Sequence, residues 1–253
     1  MDLMDFFNDV FKMLSEQGAG IFNDPAFYED DGTYGETLTA SALNSNGLGG
    51  HRIVYRNLLV PYKDKTTEID LLMIHEKGIF VFESKNYSGW IFGKADQLKW
   101  TQSLSHDRKY QFYNPIMQNQ THIKALSDVL RLPTSYFYSY IVFSERCELK
   151  SVPDNTEQVS IVRRHKMLPR LRQQLDRLPE LYTPAVVDSI ADIIKSYANK
   201  SEVEYQAHAN RVYEQMNSDI CPLCKNKLTV RMGKNGAFLG CSSFPRCRYT
   251  RDL

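Results

Sequence analysis

The stretch EIDLLMIHEKGIFVFESK, residues 68–85, constrains the fold of this chain more than any other. Two apolar runs flank His75-Glu76-Lys77-Gly78, with a glycine where a tight turn needs one, and this predicts a β-hairpin. Apart from Asp70, IDLLMI is apolar at consecutive positions, the pattern of a strand covered on both faces. A tight hairpin makes an antiparallel pair, and helical and strand patterns alternate along the chain. The expected fold class is therefore α/β, with a mixed sheet flanked by helices. Yet Asp70 sits inside the first run, and Glu83 and Lys85 close the second. Charge in a buried strand is costly unless it is paired or coordinated.

The other elements follow from periodicity and punctuation. Residues 1–33 read as a lead-in with a short amphipathic helix, in which Phe6, Val10, Phe11 and Leu14 share a face. A helix is expected from about Tyr34 to Asn46, ended by NSNGLGG. HRIVYRNLLVPY reads as a strand stopped by Pro61, and short strands follow Gly89 through Trp90 and Trp100. NPIMQNQTHIKALSDVL reads as a helix, with Asn114 as its cap and Pro115 in its first turn. Its apolar stripe is Ile116, Ile123, Leu126 and Leu130, with Gln118 and His122 on a separate face. Residues 137–144 and 158–162 read as strands. Leu171, Leu175 and Leu178 mark one helix; Val186, Ile190, Ile194 and Tyr197 mark the next, started by Pro184. The division expected is a lead-in (1–33), a main domain (34–200), a polar linker (201–217) and a small cysteine-rich domain (218–253).

The net charge of +1 hides an uneven distribution. Residues 1–36 hold many acids and a single basic residue, Lys12, whereas residues 218–253 hold seven basic residues and two acids, a local net of 7 − 2 = +5. A basic tail of this kind points to an anionic partner, nucleic acid first. No apolar run approaches the ~20 residues that span a bilayer. The first residues lack the basic start of a signal peptide, so a cytoplasmic protein is expected.

Side chains alternate across a strand, so Glu83 and Lys85 point to the same face about 7 Å apart. If Asp70 points that way too, two carboxylates and an amine converge at one end of an apolar sheet. Two carboxylates held so close repel unless a cation lies between them, and oxygen ligands of this kind suit Mg²⁺ or Mn²⁺. A lysine beside such an ion can orient or deprotonate a water, an arrangement suited to phosphodiester hydrolysis. The alternative is a buried Asp70–Lys85 ion pair, with Glu83 closing a strand.

Asp70 followed across a hairpin by Glu83-x-Lys85 resembles the PD-(D/E)xK nuclease core. More closely, GETLTASAL (35–43), EIDLLMIHEKGIFVFESKNYSGWI (68–91) and NPIMQNQTHIKAL (114–126) together resemble the nuclease-related domain, NERD. The resemblance implies a restriction-endonuclease-like fold, with Asp70, Glu83 and Lys85 as the set that holds metal and activates water. It also carries over Glu36 as a further acid and Gln118 as a polar residue facing the site. His122 suits either the rim of the site or a solvated helix face. Asn86 and Tyr87, directly after Lys85, are placed to touch substrate or to bond within a turn. His51, His75, His106, His165 and His208 have no ligand-like spacing and read as structural or surface residues. Many nucleases of this fold act as dimers, so a homodimer or a partner protein of a defence or repair system fits the resemblance.

Four of the five cysteines lie in CPLCKNKLTVRMGKNGAFLGCSSFPRCRYTR, and Cys147 stands apart. Cys221 and Cys224 form a knuckle, Cys241 and Cys247 return after a hairpin, and four thiolates suit a closed, structural Zn²⁺ site. So short a segment with few apolar residues needs the metal to fold. The segment resembles the zinc ribbon at the C-terminus of type IA DNA topoisomerases, which implies DNA binding, single strands in particular. Arg231, Lys234, Arg246, Arg248 and Arg251 are candidate phosphate contacts, and Phe238, Phe244 and Tyr249 are candidate stacking residues. The expected function is a metal-dependent DNA endonuclease whose ribbon recruits the strand. The alternative is a silent DNA-binding or adaptor protein that uses its core for docking.

Overall fold

The structure is a computed structural model and describes residues 31–45, 47–105, 108–198, 219–221, 223–233 and 236–252. The expected lead-in helix and polar linker lie outside the described residues, as do His106, His208 and Lys234. The chain divides into two compact units, residues 1–199 and 200–253.

The first unit is built on a five-stranded sheet in the order β1-β2-β3-β7-β9. Strands β1 (Arg52–Tyr62), β2 (Lys65–His75) and β3 (Gly78–Lys85) form an antiparallel meander. Strands β7 (Phe137–Phe143) and β9 (Val159–Arg163) extend it in parallel with β3, which makes the sheet mixed. A second sheet has the order β6-β5-β4-β8, from β4 (Gly89–Phe92), β5 (Lys99–Ser103), β6 (Lys109–Tyr113) and β8 (Cys147–Ser151).

Helices cover both faces of the larger sheet. On one face α1 (Asp31–Leu43) and α3 (Arg164–Arg177) pack Leu43, Met167 and Leu171 against Leu71, Phe82 and Tyr140. On the other, α2 (Pro115–Leu130) and α4 (Pro184–Ala198) pack Ile123, Leu126, Ile190 and Ile194 against Leu72, Ile74 and Val81. Ile91, Trp100 and Cys147 of the smaller sheet share a third cluster with Ile116, Ile141 and Phe143. β2 and β3 are buried on both faces, as their unbroken apolar runs require.

Three local expectations are corrected. The helix expected over 34–46 spans Asp31–Leu43. Its C-terminal carbonyls are taken by Arg52, whose guanidinium donates to Leu43 O at 2.8 Å and Ser45 O at 2.5 Å. Pro61 does not stop β1: it pairs with Thr66 and the strand runs on to Tyr62. β1 is the sheet's edge, where a missing N–H is tolerated. On α4, Val187 is buried and Val186 is exposed.

The central hairpin is held by His75, whose Nδ1 accepts from Lys77 N at 3.0 Å and whose Nε2 donates to Gly49 O at 2.8 Å. The bond accepted at Nδ1 needs the neutral ring, and burial lowers its pKa from the ordinary 6.5 against the pull of the Gly49 carbonyl. A depressed folded-state value means that the unfolded chain takes up the proton first. Stability from this group is thus fully present above pH 6.5 and is lost as pH falls through the lower, folded value. Denaturant midpoints should fall between pH 7.5 and 5.5 more steeply for the parent chain than for His75→Asn.

Candidate active site and zinc ribbon

The ladder between β2 and β3 ends at Leu71–Phe82, one step before the acids. In the same register Asp70 stands opposite Glu83, and residues directly opposite share a face. The Asp70 carboxylate replaces the missing ladder bond: its Oδ2 accepts from Ser84 N at 2.7 Å. On the other side, β1 pairs Arg56 with Leu71 and Leu58 with Ile69 but omits Asn57, which has φ of 50°. Both neighbours of β2 therefore depart from regular pairing at Asp70, which frees this end of the strand from the pleat.

Glu83 is 1% exposed, and both its oxygens are engaged. Oε1 meets Lys85 Nζ at 2.7 Å, and Oε2 meets His122 Nε2 at 3.0 Å. His122 Nδ1 lies 2.8 Å from Thr67 Oγ1. Glu83, His122 and Thr67 thus form one hydrogen-bonded chain, in which Nε2–H donates to the carboxylate. Lys85 Nζ also donates to Gln118 Oε1 at 3.1 Å.

The electrostatics separate the two carboxylates. Burial and then repulsion from Glu83 push Asp70 well above the usual carboxylate range; the Ser84 N–H opposes this and Glu36 adds to it. Burial also acts to raise Glu83, but Lys85 and His122 outweigh it and hold its carboxyl below the ordinary value. Burial acts to lower Lys85, but Glu83 wins and its pKa is raised. Lys85 is thus an ammonium here.

The structure brings Asp70, Glu83, Lys85 and Gln118 together, with Glu36 near enough to repel Asp70. His122 is corrected: it lies neither at a rim nor on a solvated face, but is buried against Glu83. The signal was present, since Asn119 and His122 fall at helical spacing among Ile116, Ile123 and Leu126. Polar residues on a buried stripe need partners. Thr67 carried no signal. Tyr87 packs its ring on Phe112, with centroids 4.4 Å apart. His165 binds Glu145 at the start of α3, and His51 binds Asp188.

The donor set fits a divalent cation. Asp70 and Glu83 share one ammonium, Lys85, and Asp70 Oδ1 has no hydrogen-bond partner among the described residues. Two crowded carboxylates with hard oxygens suit Mg²⁺ or Mn²⁺.

In the second unit, β10 (Leu228–Gly233), β11 (Gly236–Cys241) and β12 (Thr250–Asp252) form an antiparallel sheet. The Sγ atoms of Cys221, Cys224, Cys241 and Cys247 all lie within 4.8 Å of one another. That grouping fits tetrahedral Zn²⁺. Cys221 N donates to Asn226 O at 2.7 Å and Lys225 N to Cys221 O at 2.9 Å, which closes the knuckle. A backbone hydrogen bond from Asn226, followed by the Cys241 thiol, draws Cys224 down to about 6, so its thiolate forms readily.

The candidate DNA contacts divide. Phe244 is 57% exposed, and Arg246 and Arg248 are exposed. Phe238 and Tyr249 are half-buried. Arg231 is half-buried and engaged, donating to Cys241 O at 3.0 Å with its guanidinium 5.6 Å from the Phe244 ring centre. Of Arg251 only the backbone, in β12, is described.

Comparison with known proteins finds matches to two separate stretches of the chain. Residues 31–144 match the family described as Nuclease-related domain, and residues 218–253 match Topoisomerase DNA binding C4 zinc finger. An uncharacterized protein of Bacillus anthracis is 32% identical over 133 residues, which cover 52% of this chain and 61% of the relative. The uncharacterized protein YrdD of Escherichia coli is 51% identical over 37 residues, covering 15% of this chain and 21% of the relative. DNA topoisomerase 1 of Methanocaldococcus jannaschii is 58% identical over 34 residues, covering 13% of this chain and 4% of the relative. The chain thus spans less than two thirds of the length of each of these relatives. No solved structure gives a significant match. The chain carries a nuclease-related domain, NERD, at residues 31–144 and a topoisomerase-type C4 zinc ribbon at residues 218–253.

Proposed function

We propose that this chain is a metal-dependent endonuclease that hydrolyses phosphodiester bonds in DNA, with a ribbon that recruits the strand. The observation that supports it most is the crowding of Asp70 and Glu83 at a point where the strand ladder gives way. Asp70 and Glu83 would hold Mg²⁺ or Mn²⁺, with Glu36 as a further acid; when bound, the ion lowers the pKa of water and offsets charge on the phosphate. Lys85, kept as an ammonium by Glu83, acts as a donor that orients the attacking water and faces the phosphate oxygens, not as a base. Gln118 fixes the direction of the ammonium from α2. Products should carry 5′-phosphate and 3′-hydroxyl ends, as the nuclease resemblance implies. The core of this activity lies in residues 34–200, and residues 201–217 tether the ribbon.

The test is cleavage of DNA after chelation with EDTA, then after restoration with Mg²⁺ alone or Zn²⁺ alone. Restoration by Mg²⁺ is expected. Full activity in the chelator, or restoration by Zn²⁺ only, contradicts the reading.

His122 is a positioning residue in this account, since it fixes Glu83 without reaching substrate. Loss of such a partner typically lowers metal affinity or activity 10–100-fold. His122→Ala should raise the Mg²⁺ concentration for half-maximal cleavage by at least about tenfold. His122→Gln, which keeps an N–H donor, should recover part of this. An unchanged Mg²⁺ requirement in His122→Ala would assign the residue to packing alone.

A second reading concerns the ribbon alone, as a module that docks a protein partner. On β10, Val230 is 61% and Met232 80% exposed, apolar side chains for a partner to cover. DNA affinity that survives removal of the ribbon would favour it.

A further inference from the structure

Lys85 on β3 is in register with Phe143 on β7, and Phe143 with Arg163 at the end of β9; Phe143 itself is buried beneath Trp100 of the smaller sheet, so Lys85 and Arg163 stand on either side of a covered position. Residues in register on parallel neighbours project to one face, so Arg163 stands two strand spacings from Lys85, about 10 Å between their Cα atoms. β9 is the last strand of its sheet and β8 the last of the other. A cleft lies here, lined by Lys150, Arg163 and Lys166 with Glu148, over Leu149 and Ile161.

Its charge is unbalanced. Glu148 is paired with Lys150 and is also held down by the charge of Arg163, so a single acid of the lining answers to Lys150, Arg163 and Lys166. The cleft is closed to an added peptide strand at this point, because Asn155 Oδ1 already takes the edge N–H of Ile161 at 2.6 Å. Beside it Trp90 is 52% exposed, with the Lys150 ammonium 5.2 Å from its ring centre. An excess of cations and a half-exposed aromatic ring are what a sugar-phosphate backbone with unstacked bases requires.

We propose that this cleft is a backbone-binding subsite for the nucleic-acid strand that continues from the phosphate at Asp70, Glu83 and Lys85. The proposal rests on the reading of those residues as a phosphodiester site. Arg163 and Lys166 hold phosphates beyond the scissile one, and Trp90 stacks a base.

The test uses the full chain without added divalent ion, a fluorescein-labelled oligonucleotide and anisotropy over a salt series. For Arg163→Gln with Lys166→Gln, the slope of log affinity against log salt should shrink by about 1.4–1.8, the release expected for two phosphate contacts. The dissociation constant should rise several-fold, with an unchanged melting curve. Arg163→Lys with Lys166→Arg should retain the parent slope. A parent-like slope in the glutamine variant overturns the subsite, and so does a lowered slope in the charge-preserving one. Trp100 is buried, so quenching of the emission on binding should vanish in Trp90→Phe; persistent quenching removes Trp90 from the subsite. Cleavage by the parent chain separates the two readings. Cutting with an unaltered slope leaves the nuclease and removes the cleft; a lowered slope without any cutting does the reverse.

Discussion

Lys85→Ala and Asp70→Asn are expected to lower single-turnover cleavage at saturating DNA by at least about a hundredfold, the scale of losing one group that stabilises developing charge. Both variants should remain folded, for different reasons. Asp70 is a half-buried carboxylate pushed upward by burial and by its neighbours, so it is a strained group in the resting site. Asparagine keeps an oxygen for the Ser84 N–H and removes the repelled charge, so Asp70→Asn should melt a few degrees higher than the parent. Lys85 is more exposed than Glu83, and its loss leaves Glu83 with His122.

At Glu83 an alanine is expected to disturb folding as well as cleavage. Glu83→Ala strands a half-buried lysine and a buried histidine, and breaking a buried pair costs about 3–5 kcal/mol. Glu83→Gln preserves the volume and separates chemistry from stability. If Lys85→Ala or Asp70→Asn cuts near the parent rate, the site is wrongly assigned.

Deletion of residues 218–253 is expected to raise the dissociation constant for DNA by at least about tenfold and to flatten its salt dependence. Residues 1–217 carry 31 − 7 = 24 basic and 30 − 2 = 28 acidic residues, a net of −4, against +5 in the tail. Long-range attraction to phosphate comes from clustered cations, and an acidic core supplies little of it. The chemical step at saturating DNA should change much less, because the proposed metal site draws no residue from the tail. Cys221→Ser with Cys241→Ser should reproduce the deletion, since these thiols belong to a cluster that replaces a hydrophobic core. Unchanged affinity in the truncated chain would turn the ribbon toward a protein partner through Val230 and Met232.

How much of this was legible in the sequence depends on how local the cause is. The central hairpin, the α2 cap and the thiol spacing are set by neighbours in the chain, and the sequence displays them. Asn114 accepts from Ile116 N at 2.9 Å, as its place before Pro115 suggested. The turn at Lys63–Asp64 went unread because Lys63 adopts φ of 56°, a conformation that usually signals glycine or asparagine. β6 and β8 went unread because they border a small, exposed sheet where apolar alternation is weak. At the site, Glu83 with Lys85 is a matter of strand alternation and was visible. The Glu83–His122–Thr67 chain joins β2, β3 and α2, and only the packing of the helix on the sheet creates it.

The most direct measurement sets the purified parent chain beside Lys85→Ala, with supercoiled, linear duplex and single-stranded DNA and RNA, each with Mg²⁺. The account expects the parent to cut at least one of the DNA forms, leaving 5′-phosphate ends, and Lys85→Ala to bind the same DNA without cutting it. Binding by both proteins with no cleavage of any polymer would contradict it.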